Sequence, residues 1–189
     1  MARPKKTQSS LSKQIIVEHA LSLLDESGPK AISFRSLAEQ LGVTAMAIKH
    51  HVGSKEQLFQ DLVSLAFKDI AIEPATTSAN EPLLMIMGRY CQRVVKHTNL
   101  LNEILINPTL IDEQLSQLNS LIIEQLQKAG VKGEKQLVVL GVIVDYTHGF
   151  AFSMAAIKQR TSRPENSLSI ADYVQGLELL VKGLIAQST

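Results

Sequence analysis

The sequence predicts an all-α protein, three short helices joined by a fourth to a larger helical body. Three observations predict it. Leu, Ile, Val and Ala carry most of an apolar content of 45%, while aromatics are 4% and Trp is absent, a mix that suits helices. Apolar residues recur at helical spacing and strand alternation is weak. Ser, Thr and Gly punctuate the chain at helix-sized intervals.

The first helix is expected over about 11–27. Ile16, Ala20, Leu23 and Leu24 share one face, Ser10 or Ser12 can cap its start, and Gly28–Pro29 stops it. The second covers about 34–41, capped by Ser33, with Phe34, Leu37, Ala38 and Leu41 facing inward. Gly42 supplies a tight turn. The third covers about 45–51, capped by Thr44. The fourth follows Gly53 and runs to about Ile72; Ser54 and Gln57 form a capping box. A polar, Pro-bounded stretch, residues 73–82 (EPATTSANEP), separates head from body. Body helices are expected over about 83–97, 100–106, 109–129, 134–159 and 168–187. The domain reading is thus a basic arm at 1–10, a DNA-binding head at 11–54, a connecting helix at 55–72 and an effector-binding and dimerisation body at 83–189.

Composition narrows the function classes. Cys91 is the single cysteine, so no internal disulfide forms and a cytoplasmic location is expected. Cys91 reads as a small buried hydrophobe, with a redox sensor as the alternative. The N-terminus has no apolar signal-type run; Arg3, Lys5, Lys6 and Lys13 precede any acidic residue. Residues 137–157 are long and apolar enough to span a membrane, but Asp145 and His148 lie near the centre, which favours a buried interface helix and no membrane partner. Residues 1–70 hold nine Lys/Arg and seven Asp/Glu, and the remainder ten and eleven. That asymmetry is too small to reveal a nucleic-acid partner by itself.

The stretch from Ser33 to Val52 carries the clearest functional pattern. Two short helices meet at small Ala38, Gly42 allows the turn, and Val43, Ile48 and Val52 supply buried positions. This is the arrangement of a helix-turn-helix, a compact core that frees one face of its second helix for the major groove. The candidate DNA-binding residues are Ser33, Arg35, Thr44, Ala45, Met46, Lys49, His50, Ser54 and Lys55. Thr44 can hydrogen-bond a base or phosphate, Ala45 and Met46 can meet a thymine methyl, and Lys49 can reach guanine acceptors or a phosphate. Arg35 and the helix start at Ser54–Lys55 suit phosphates. The competing reading is plain helical packing with solvated lysines. His50 and His51 point about 100° apart on a helix, which disfavours a joint metal site.

The D-E-S-G run from Asp25, R-S-L-A-E-Q-L-G-V-T from Arg35 and H-V-G-S-K-E-Q-L from His51 together resemble the head of the TetR family of transcriptional regulators over roughly 60 residues. One departure is Lys49, where the family usually carries an aromatic that contacts a phosphate; charge can replace that contact but not its geometry. H-T-N-L-L from His97, L-Q-K-A-G-V from Leu126 and D-Y-T-H-G-F-A-F from Asp145 resemble the body of the tetracycline-repressor subgroup. The resemblance implies a homodimer, paired through helices at about 134–159 and 168–187, whose body binds a small-molecule effector. Candidate ligand-binding residues are Tyr90, His97, Asn102, Asp145, His148 and Phe152, with Tyr146, Phe150 and Met154 nearby; each also reads as an ordinary structural group. Ser153 stands where the tetracycline-binding members place an acidic residue for magnesium, so tetracycline itself is not the expected ligand; a metal site would need a third and fourth ligand beside Asp145 and His148, so neither metal nor other cofactor is expected.

The combined expectation is a homodimeric repressor, bound to a palindromic double-stranded DNA operator and released by an unidentified small molecule. An enzyme is the first rival, with Asp145 and His148 its only suggestive acid–base pair and no nucleotide loop or metal signature behind it; a helical adaptor without DNA binding is the second.

Overall fold

The computed structural model describes residues 11–71, 81–160 and 168–186. The basic arm, residues 73–80 of the polar break and the Arg163–Pro164 punctuation lie outside them. The described residues form nine α-helices and no strand.

The head begins with α1 (Lys13–Ser27). The Ser12 hydroxyl accepts from Ile15 N at 3.3 Å, and Gly28 ends the helix with its N–H on Leu24 O. A single 3-10 turn leads to α2 (Phe34–Leu41). Ser33 caps it reciprocally with Ser36, a pairing the usual Glu/Gln pattern does not reveal. Gly42 then turns the chain at φ 68°, left-handed backbone that favours glycine. Next come α3 (Ala45–Val52), capped by Thr44, and α4 (Lys55–Ala66), capped by Ser54 with Gln57 returning to Ser54 N at 2.8 Å. Ile16, Ala20 and Leu24 of α1, Leu37 of α2, Ile48 of α3 and Leu58 and Leu62 of α4 are fully buried together.

α4 ends at Ala66, six residues short of the Ile72 that its apolar pattern predicts. Phe67 and Ile70 are still buried, but turns carry them inward instead of a helix. Asp69 is left-handed at φ 57°, and its N–H reaches Gln114 Oε1 at 2.9 Å. Burial of the apolar pair survives while the period breaks.

The body holds α5 (Glu81–Lys96), α6 (Thr98–Ile106), α7 (Glu113–Lys128), α8 (Lys135–Arg160) and α9 (Ile170–Ala186). α7 starts four residues later than the sequence suggests, because Asn107–Pro108 opens a 3-10 turn and Asp112 supplies the cap. α5 is the central helix and packs on all four others. Tyr173 of α9 is fully buried against α8, where its hydroxyl meets Thr147 Oγ1 at 2.7 Å and its ring stacks on Tyr146 at 5.4 Å. Lys135–Ile157 of α8 is long and apolar enough to cross a membrane; here it packs on α5, α7 and α9.

Candidate DNA-binding face and ligand cavity

The third helix presents its candidate face by simple geometry. Ile48 and Val52 anchor it in the core, which leaves Thr44, Ala45, Met46, Lys49 and His50 exposed on the other side. Met46 is 74% exposed, a large apolar side chain held in water with no intramolecular use. The Thr44 oxygen accepts from Ala47 N at 3.2 Å, so its proton remains available to an outside acceptor. Ser33 and Arg35 at the start of α2, and Ser54 and Lys55 at the start of α4, are also exposed. The Ser33 and Ser54 hydroxyls accept from Ser36 N and Gln57 N at 3.0 and 3.1 Å. The Lys55 ammonium lies 5.6 Å from the centre of the Phe59 ring. Gly53 enforces the turn between α3 and α4: its φ is 72°, and a Cβ there would strike Gln57 Oε1 of the capping box. All nine candidates therefore lie on the exposed surface built by three capped helix starts.

The six body candidates do not share one place. Tyr90 of α5 and His148 of α8 meet across a cavity of about 200 Å³, hydroxyl to Nε2 at 2.7 Å. Leu101 and Ile104 of α6, Pro108 and Ile111 of the following corner, and Leu118 and Ile122 of α7 give it apolar walls. Burial raises the Tyr90 pKa, helped by Cys91, so the phenol keeps its proton. Burial lowers the His148 pKa, against a smaller opposite pull from Asp145. The His97 ring is buried elsewhere, at the junction of head and body, with Nδ1 2.8 Å from Asp25 Oδ2. Asn102 and Asp145 are exposed and Phe152 is half-buried; none of the three lines the cavity. Burial pushes the Cys91 thiol up to about 12, which removes the thiolate a redox sensor needs.

Two sets of groups that join head to body escape sequence reasoning. Asp25 receives His97, and Asn99 Nδ2 donates to the carbonyls of Leu24 and Asp25 at 2.8 and 3.3 Å, closing the C-terminus of α1. The second set runs along α4. Thr109 Oγ1 shares its one proton between Asn107 Oδ1 at 2.7 Å and Glu56 Oε1 at 3.1 Å, Gln60 Nε2 donates to Thr109 O at 3.4 Å, and Ser64 Oγ to Asp112 Oδ2 at 2.8 Å. Glu56, Gln60 and Ser64 fall four residues apart, one polar stripe beside the buried one. That spacing was visible, but its partners lie about fifty residues away. The corner that grips this stripe also supplies Pro108 and Ile111 to the cavity wall.

Residues 16–62 match the family model of bacterial regulatory proteins, tetR family. No curated protein matches the chain. Solved structures share its fold. ActR of Streptomyces coelicolor in complex with (S)-DNPA aligns at TM-score 0.69 and 18% identity, over 96% of this chain and all of that one. A BioQ structure with its natural double-stranded DNA operator gives 0.72 and 20%, over 93% and 99%. A TetR variant of Acinetobacter baumannii AYE in complex with minocycline gives 0.74 and 19%, over 95% and 99%. At such identities the likeness is one of fold.

Proposed function

We propose, from the premise that its head places this chain in the tetR family of bacterial regulatory proteins, that it is a cytoplasmic homodimeric repressor released from a palindromic operator by a small molecule. The observation that carries the reading is the exposed face of α3: Ala45, Met46, Lys49 and His50 stand free on a helix fixed at both ends. Arg35, Lys55 and the N-termini of α2 and α4 flank it with groups that attract phosphates. Lys49 acts there as a point charge rather than as a hydroxyl.

The dimer reading rests on the outer faces of α8 and α9. Val138, Val142, Asp145, Gly149, Ser153 and Ala156 form an exposed stripe at helical spacing along α8. Leu137, Val138 and Leu179 are 66%, 65% and 73% exposed, an apolar surface that a second copy would cover as a four-helix bundle. Two recognition helices then face half-sites about 34 Å apart. The cavity between α5, α6, α7 and α8 is the effector site. Its occupant displaces the corner at Pro108–Ile111, and the corner's bonds to Glu56, Gln60 and Ser64 pass the displacement to α4 and the head. Release requires that the occupant bind this displaced state more tightly than the DNA-bound one.

The test is a titration against an operator selected from genomic fragments, repeated at several salt concentrations. Arg35→Ala and Lys49→Ala should each weaken binding and flatten the log–log salt slope by about one phosphate contact. Thermal unfolding should move by no more than about 0.5 kcal/mol, as for surface changes. If both variants bind like the parent at every salt concentration, the DNA-contacting face lies elsewhere.

A further inference from the structure

We propose that the body cavity takes a small uncharged molecule, an apolar frame of about one substituted aromatic ring with a single hydroxyl or carbonyl that meets Tyr90 and His148. This rests on the cavity being the effector site.

Size gives the first limit. At about 200 Å³ the space is somewhat larger than the ~150 Å³ cavity that holds benzene, and smaller than the roughly 300–1,000 Å³ of drug-sized sites.

Charge gives the second. Among the described residues that line the cavity none is Asp, Glu, Lys or Arg. An ion entering it would lose its hydration with no countercharge. Asp145 sits one turn from His148 but on the exposed face of α8, so a cation finds no carboxylate inside.

The polar pair gives the third. Burial keeps the Tyr90 phenol protonated and the His148 ring neutral, and one hydrogen lies in their 2.7 Å contact. If His148 Nε2 carries it, the Tyr90 hydroxyl is free to donate to a carbonyl. If Tyr90 supplies it, the Tyr90 oxygen is free to accept from a hydroxyl. A change of imidazole tautomer therefore serves either ligand group, whereas a carboxylate finds only neutral partners: this pair inside, and the amide of the exposed Asn119. The entrance is mostly apolar: Leu105 and Ile111 line the cavity yet are 51% and 44% exposed, and Asn119 is the polar residue among the exposed lining.

Calorimetric titration of the full chain with 4-propylphenol, propylbenzene and 4-propylbenzoate tests this. The phenol should bind at least about tenfold more tightly than the benzoate. Tyr90→Phe should weaken the phenol by about tenfold, one buried hydrogen bond, and leave propylbenzene unchanged. His148→Leu reads the same pair should Tyr90→Phe fail to fold. Val144→Phe, which fills the cavity from α8, should reduce binding of both neutral probes. The proposal is overturned if the benzoate binds as tightly as the phenol, if the Tyr90 and His148 changes affect phenol and propylbenzene alike, or if no probe binds. Operator affinity measured in parallel separates the two readings. A phenol that binds without weakening the operator complex supports the ligand class and refutes the effector role; an operator complex that none of the three probes binds or weakens leaves the repressor and refutes the class.

Discussion

Head and body solve the same problem, satisfying helix ends and buried polar groups, by different means. From α1 to α4 every helix begins on its own cap, Ser12, Ser33, Thr44 or Ser54, with the partner N–H three residues away. In the body α6 begins at His97, whose ring makes no local cap and reaches Asp25 of the head instead. Tyr90 meets His148 across 58 residues of sequence, and Thr147 meets Tyr173 across 26. α9 does start on its own local box, Ser169 with Asp172, but the Asp112 cap on α7 is shared, since its second oxygen accepts from Ser64 of α4. Local caps fix the start of each head helix from within its own sequence, although body residues close the end of α1 and grip one side of α4. Shared partners make the state of one body element depend on another, as transmission of a ligand signal requires.

The largest expected effect breaks the head alone. Ile48 is fully buried at the meeting of α1, α2 and α3, and Ile48→Ala leaves a void that costs about 2–5 kcal/mol. Operator binding should fall with it, while the binding of 4-propylphenol by the body persists. Urea unfolding followed beside phenol titration checks both. A loss of probe binding equal to the loss of operator binding would show that head and body are one cooperative unit.

This division also explains what the sequence made legible. Four helix starts in the head, their stops at Gly28 and Gly42, and the face Thr44–His50 all rest on signals within about four residues, which a single chain displays. The end of α4 does not: Phe67 and Ile70 keep the apolar pattern while Asp69 adopts left-handed backbone to meet Gln114, a partner 45 residues away. Polar residues on apolar body helices were visible as a set, but spacing does not say which neighbour each one meets. Tyr90 and His148 face the same cavity, His97 serves the head junction, and Asn102, Asp145 and Phe152 lie outside it. Packing among α5, α6, α7 and α8 decides that assignment, and no local rule encodes it.

A smaller change sharpens the comparison at the joint. Ser64→Ala removes the bond to Asp112 Oδ2 but keeps that residue's cap on Leu115 N. The cost in stability should be about 1 kcal/mol, measured by urea unfolding. The cavity should keep its affinity for the phenol while the phenol becomes a weaker releaser of the operator. A variant that releases as readily as the parent would place the coupling elsewhere, with the Asp25–His97 contact as the next site to test.

The smallest expected effect lies inside the body and depends on pH. The folded His148 pKa lies below the ordinary value near 6.5, because burial penalises its charged form more than Asp145 supports it. On acidification the unfolded chain therefore takes up this proton first. The stability associated with a neutral His148 is whole above about pH 6.5 and declines as pH falls from there toward the folded value. Thermal unfolding from about pH 7.5 to about 5.5 should show a steeper loss in the parent than in His148→Gln, which cannot charge. Asp145→Asn should steepen the parent's loss further, since it removes the one group that favours the imidazolium. Parallel curves for parent and His148→Gln would mean that the ring is solvated, and the neutral polar pair on which the ligand class depends would lose its basis.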